Sequence, residues 1–192
     1  MNKVIQQAAI IGGGVIGAGW LARLIENGID VKVYDPDPES ARKINAVLEN
    51  SRAAYAKLTM APRLTEGSIM HCDSLAEAVS NAELIVESVP ERLDIKQSVY
   101  AEVEQSASKD ALIVSSTSGI MPSDLQAKMQ HPERMLVAHP FNPVYLLPVV
   151  EIVGGKQTSQ DSVDRAMMIY AGIGMKPVHI CLLYTSPSPR DS

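Results

Sequence analysis

The stretch AAIIGGGVIGAGW, residues 8–20, narrows the fold more than any other part of the chain. An apolar, strand-like run enters it and a helix-like run leaves it. Between them Gly12, Gly14 and Gly17 stand in G-x-G-x-x-G spacing. That order is what a dinucleotide-binding turn requires, whereas glycines in another context make plain turns. Gly12 permits the tight turn, Gly14 lets a pyrophosphate approach the backbone, and Gly17 allows the helix to lie close on the strand. Gly13, Val15 and Ile16 complete the loop, and the helix N-terminus behind them offers N–H groups and the positive end of a dipole. The next strand-like run, VKVYD, ends on Asp35, eighteen residues after Gly17. A carboxylate there accepts hydrogen bonds from both hydroxyls of an adenosine ribose and repels the 2′-phosphate of NADP. NAD is therefore the expected cofactor, with FAD, which shares the fingerprint, as the alternative.

Short apolar runs alternate with helical patterns along the rest of the chain, which argues for βαβ units. Strands are expected at 8–11, 31–34, 69–72, 84–88, 111–115, 135–138, 149–153 and 176–180. Helices are expected at about 15–27, 40–60, 75–80, 92–106, 122–129 and 159–171. Gly28 fits a helix C-terminal cap and Ser40 an N-cap. The fold class that follows is α/β, a Rossmann-type doubly wound and largely parallel sheet. The 192 residues are 46% hydrophobic and 20% charged, enough for one domain with a core. A formal net charge of −5 argues against a nucleic-acid partner. Cys72 and Cys181 are too few for a disulfide framework or a zinc site, and no metal is expected. No apolar run reaches membrane-spanning length and the N-terminus lacks a cleavable signal pattern, so a cytoplasmic protein without membrane contact is expected.

Three further strand ends carry chemistry-bearing residues. LIVESVPERLDIKQ places Glu91 and Lys96 after one strand, and ALIVSSTSG places Ser115 to Ser118 after the next. Ligands in open α/β sheets sit beyond the carboxyl ends of strands, so both loops are candidates to line the cofactor site. An exposed first-turn ion pair and ordinary turn capping are the alternatives. AHPFNPVYLLPVVE sets His139 at a strand end and Glu151 twelve residues later inside an apolar run. In isolation, a satisfied surface histidine and a solvated glutamate would account for them. The last twelve residues, CLLYTSPSPRDS, are turn-forming and polar and resemble translated sequencing-adaptor read-through. The reading is therefore an NAD-binding domain over 1–180 and a non-native tail over 181–192.

Taken in order, GGGVIG, the VPE loop, SSTSG and HPFNP…VVE resemble the 3-hydroxyacyl-CoA dehydrogenase superfamily across residues 5–180. The resemblance implies a catalytic pair at His139 and Glu151, a substrate-hydroxyl serine at Ser118 and an active-site asparagine at Asn142. It implies cofactor contacts at the glycine loop, Asp35, Glu91 and Lys96. It also implies a small-molecule substrate, a homodimeric full-length protein, and a second, all-α domain missing from this chain. Pro140, Pro148 and the serine run depart from the acyl-CoA members, which carry phenylalanine, lysine and asparagine at those places. The departures resemble most the branch that oxidises L-carnitine, a trimethylammonium alcohol. Acyl-CoA and gulonate branches are the alternatives, as is a non-catalytic, crystallin-like NAD-binding protein. Phe141, Tyr145 and Trp20 are the aromatic faces available to a cation, with simple packing the expected role for Trp20.

Overall fold

A computed structural model describes residues 5–58 and 65–180; the tail read over 181–192, and residues 59–60 at the end of the second expected helix, lie outside the described residues. The chain runs β1 (Gln7–Ile11), α1 (Val15–Glu26), β2 (Asp30–Tyr34), α2 (Ser40–Leu58), β3 (Ile69–His71), α3 (Leu75–Val79) and β4 (Leu84–Glu87). It continues through α4 (Leu93–Ser106), β5 (Leu112–Ser115), α5 (Pro122–Gln126), β6 (Met135–Pro140), β7 (Val149–Gly154), α6 (Gln160–Gly172) and β8 (Lys176–His179). Each expected strand and helix is present, with ends that move by a few residues.

The strands form one sheet in the order β3-β2-β1-β4-β5-β6-β7-β8. Successive strands first add outward from β1 to β2 and β3, and then the chain crosses back to β4 and adds in the other direction. The reversal lies between β1 and β4, where an open α/β sheet leaves a crevice at its carboxyl end. Both faces are covered, so strand side chains alternate between two cores. Ala8, Ile10, Leu84 and Val86 pack with α1, Ile44 and Leu48 of α2, and Tyr170 of α6. Ala9, Ile11 and Ile85 pack on the other face with Leu75, Tyr100, Val103 and Leu125.

Two local details position the site. Helix α1 ends as expected at Gly28, whose N–H donates to Ile25 O while Ile29 N–H donates to Leu24 O, a Schellman pair that turns the chain into β2. Ser40 is already the first helical residue of α2 and buried, so it is not the N-cap. Asp37 takes the turn instead, its Oδ1 accepting from Glu39 N–H at 2.9 Å and its carbonyl from Ser40 N–H at 2.9 Å. On the far side only eight residues, 141–148, join β6 to β7. That is too short for a parallel crossover, so β7 returns antiparallel to β6 while every other neighbouring pair is parallel.

Candidate active site

A cleft of about 690 Å³ opens at the β1–β4 reversal, lined by Gly12–Gly14, Asp35, Ser88 and Val89 among others. Gly12 has φ +94°, and a Cβ there would meet Ser88 O at 2.7 Å. A Cβ on Gly17 would sit 1.8 Å from Gly12 O, so the helix can lie this close only without a side chain. At Gly14, by contrast, a Cβ would meet nothing within 4 Å: the space beside it is open. Gly14 is also the N-cap of α1 and no side chain caps that end. The N-terminus of α1 therefore opens on the cleft with donors for an anion. Val15 is exposed and Ile16 half-buried beside it.

Asp35 stands at the rim after β2, half-buried. Its Oδ2 accepts from Gly13 N–H at 2.6 Å and its Oδ1 from Asp37 N–H at 2.8 Å. One carboxylate thus ties the glycine loop to the following turn, and it retains lone pairs for a ligand hydroxyl.

Glu91 and Lys96 meet very different surroundings. Lys96 is fully buried, its Nζ donating to Glu87 Oε1 at 2.6 Å and to Val89 O at 3.2 Å, with Glu91 Oε2 at 3.4 Å. Three acceptors surround its three N–H donors, so this lysine is committed to the protein interior. Glu87, equally buried, accepts also from Val89 N–H at 2.8 Å, Ser115 Oγ at 2.7 Å and Tyr100 OH at 2.5 Å. Burial, joined by the neighbouring Glu87 charge, pushes the Tyr100 phenol well up and keeps it a donor. Glu91 is partly exposed; its Oε1 accepts from the Thr117 hydroxyl and from the N–H groups of Ser118 and Gly119, both at 3.1 Å. Burial pushes its pKa up, but the Thr117 and backbone hydrogen bonds and the Lys96 charge bring the carboxyl below its ordinary range.

The hydroxyl run of residues 115–118 is divided among several tasks. Ser115 serves Glu87, Ser116 bonds to Trp20 and Ser88, and Thr117 serves Glu91. Only Ser118 presents an exposed side chain. It lines a second hollow of about 150 Å³ together with His139, Glu151, Met121 and Val137. His139 and Glu151 are register partners across β6 and β7, and His139 Nδ1 lies 2.8 Å from Glu151 Oε2. The carboxylate acts as acceptor, so the proton is assigned to Nδ1 and Nε2 keeps its lone pair. Both side chains are about a third exposed, 28% and 34%, where β6 and β7 face the open hollow.

Phe141 is exposed with its ring centroid 5.5 Å from that of His139. Asn142, exposed in the loop after β6, does not line the hollow. Trp20 is buried and packs on Tyr170, as expected for a core residue. Among the described residues no cluster of three or more His, Cys, Asp or Glu side chains is arranged to hold a metal ion, and no helix is long and apolar enough to cross a membrane.

Sequence reasoning missed Glu87 and Tyr100. A signal was present: Lys96, Tyr100 and Val103 recur at helical spacing as the buried residues of α4, and Glu87 closes an otherwise apolar strand, LIVE.

The family model for the 3-hydroxyacyl-CoA dehydrogenase NAD-binding domain matches residues 7–182. The chain belongs to this family. The 3-hydroxyacyl-CoA dehydrogenase NAD-binding domain is thus the frame for the two hollows. The open space at Gly14, the uncapped α1 and the carboxylate at the β2 end fit an NAD pyrophosphate and adenosine ribose. The chain is 55% identical over 179 residues to an L-carnitine dehydrogenase of Mesorhizobium japonicum, covering 93% of this chain and 49% of that protein. It is 56% identical over 176 residues to an L-carnitine dehydrogenase/betainyl-CoA thioesterase of Rhizobium meliloti, covering 92% and 36%. Among solved structures, 3-hydroxybutyryl-CoA dehydrogenase from Escherichia coli superposes with a TM-score of 0.81 at 25% identity, over 94% of this chain and 39% of that one. An NAD⁺-dependent 5-formyl-3-hydroxy-2-methylpyridine 4-carboxylic acid 5-dehydrogenase superposes with a TM-score of 0.86 at 34% identity, over 92% and 57%. The chain spans about half the length of the Mesorhizobium relative, or less in the two-activity relatives.

Proposed function

We propose that this chain is the cofactor-binding part of an NAD-dependent dehydrogenase that oxidises the 3-hydroxyl of L-carnitine to 3-dehydrocarnitine. The observation that carries the proposal is the His139–Glu151 pair at 2.8 Å, set beside Ser118 in one hollow. The substrate rests on the relatives named L-carnitine dehydrogenase and on the departures at Pro140, Pro148 and the serine run.

In this reading the domain occupies residues 1–180 and residues 181–192 are a tail outside it. His139 Nε2 takes the hydroxyl proton, and Glu151 stabilises the imidazolium that results and holds the ring in place. Ser118 bonds the same oxygen and keeps the alcohol aligned; Asn142, outside the hollow in the loop after β6, is assigned to the substrate by the family resemblance alone. The glycine loop, from Gly12 to Gly17, holds the pyrophosphate and Asp35 the adenosine ribose. Glu91 borders the nicotinamide end, and Lys96 holds Glu91 from behind. Bound NAD⁺ supplies the hydride acceptor. General acid–base help from a positioned histidine is worth about 10²–10⁴ in rate. The full-length protein is taken as a homodimer, as the family resemblance implies, and as cytoplasmic, as the sequence pattern suggests.

The test is NADH formation by the full-length protein with L-carnitine, 3-hydroxybutyryl-CoA and L-gulonate in parallel. Turnover with L-carnitine far above the other two is expected. Preference for either competitor moves the protein to that branch, and no turnover with any, despite NADH binding, makes it a non-catalytic NAD-binding protein.

A further inference from the structure

The relay behind the cofactor cleft starts at Trp20. Its indole N–H, which can only donate, gives a hydrogen bond to Ser116 Oγ at 3.1 Å. Ser116 Oγ lies 3.0 Å from Ser88 Oγ. Among the described residues these are the only hydrogen bonds of the two hydroxyl oxygens. Ser88 directly follows β4 and lines the cleft, beside the glycine loop at the β1–β4 reversal. Ser116 directly follows β5 and does not line it.

Trp20 is fully buried and held by its packing on Tyr170, so its N–H direction is fixed. With one lone pair of Ser116 taken by the indole, two proton arrangements remain for the serine pair. If Ser88 donates to Ser116, the Ser116 hydrogen is left without an acceptor. If Ser116 donates to Ser88, its hydrogen is used and the Ser88 hydrogen is free toward the cleft. Only the second arrangement satisfies Ser116 and aims a donor at a ligand, because an unmade hydrogen bond in a half-buried place is costly.

We propose that Ser88 is a cofactor-binding residue, a donor to the nicotinamide-side half of the dinucleotide, oriented by the Trp20–Ser116 relay. The side follows from topology. Asp35 stands over β2, on one flank of the glycine loop, and Ser88 stands over β4 on the other. A dinucleotide whose adenosine ribose meets Asp35 carries its second ribose and its base toward Ser88. The inference rests on the NAD reading of the cleft and adds a contact that the glycine fingerprint does not contain. Ser116 is a positioning residue: it touches Ser88 and not the ligand.

The experiment is NADH binding to the 192-residue chain by fluorescence, with AMP binding measured alongside by calorimetry. Ser88→Ala should weaken NADH about fivefold, the loss of one neutral hydrogen bond, and leave AMP within twofold. Ser116→Ala should weaken NADH about twofold to threefold, because the Ser88 hydroxyl remains but loses its orientation. The double variant should match Ser88→Ala alone, a non-additivity that two separate structural effects would not give. Ser88→Thr, which keeps a hydroxyl, should recover most of the affinity. Unchanged NADH affinity in Ser88→Ala overturns the proposal, as do effects of the two single variants that simply multiply. Failure of the unsubstituted chain to bind NADH would instead remove the NAD reading, and this inference with it.

Discussion

Two acid–base pairs sit in the same sheet and are built in opposite ways. Glu87 and Lys96 join β4 to α4 with side-chain exposures of 0% and 1%. His139 and Glu151 join β6 to β7 at 28% and 34%. The first carboxylate takes donors from Lys96, Val89, Tyr100 and Ser115, so its lone pairs are saturated. The second is engaged by the histidine alone among the described side chains. A saturated, buried pair fixes geometry and has no route for its proton to a ligand. A half-open pair keeps its histidine fixed on one side while the other nitrogen meets whatever enters the hollow. The sealed pair can therefore hold the site in place, and the open pair can work in it.

The largest expected effect breaks the sealed pair. Glu87→Ala removes the carboxylate and leaves Lys96 charged, buried and short of an acceptor, a change that costs about 3–5 kcal/mol. In a domain of this size that corresponds to a fall in Tm of about 6–20 °C, read by thermal unfolding. A fall of one or two degrees would mean that Lys96 finds water or another acceptor, and that the pair is not sealed.

The second prediction exchanges the outcome. His139→Gln in the full-length protein should lower turnover at least about a hundredfold while NADH affinity and Tm stay near their starting values. Stability is little affected because the side chain is partly exposed and has one partner. A variant with near-normal turnover removes the proposed base. Glu151→Gln should cost less, about tenfold in kcat with KM nearly unchanged, since the imidazole remains but its charged partner does not. A loss confined to KM would place Glu151 in substrate binding instead.

The contrast between the pairs also separates what could be read from the sequence and what could not. The glycine fingerprint, the alternation of elements and the His139–Glu151 neighbourhood are local or short-range patterns, and each strand expected from them is present. The antiparallel return that brings Glu151 beside His139 follows from a short connection, ten residues between the strands expected from the sequence and eight in the structure. The sealed pair was not legible in the same way. Lys96 looks like an exposed first-turn lysine or a ligand contact, because charge normally stays outside. What buries it is the packing of α4 on the sheet and a glutamate nine residues earlier on another element. The run of hydroxyls after β5 likewise looks uniform in sequence, and the fold sorts it into one residue that faces the His139 hollow, Ser118, and three that serve their neighbours.

Asp35 stands between the two kinds of pair and gives the smallest expected effect. Its oxygens already hold Gly13 N–H at 2.6 Å and Asp37 N–H at 2.8 Å, so it is a structural anchor as well as the proposed ribose contact. Asn in its place offers one oxygen and one NH₂, and the NH₂ must face one of those two backbone donors. Either the glycine loop or the β2 turn then loses its tie, and the adenosine ribose loses a charged acceptor. The anchor portion of the loss is shared with the free protein, whereas the ribose portion appears only on binding. Asp35→Asn should therefore weaken NADH about threefold to tenfold, within the range of one hydrogen bond, and lower Tm by a few degrees at most. NADPH affinity should rise relative to NADH, because the repulsion of a 2′-phosphate is gone. Measuring both cofactors by fluorescence separates the roles: an equal loss for both makes Asp35 only an anchor of the loop, and an unchanged NADH affinity removes it from the cofactor site.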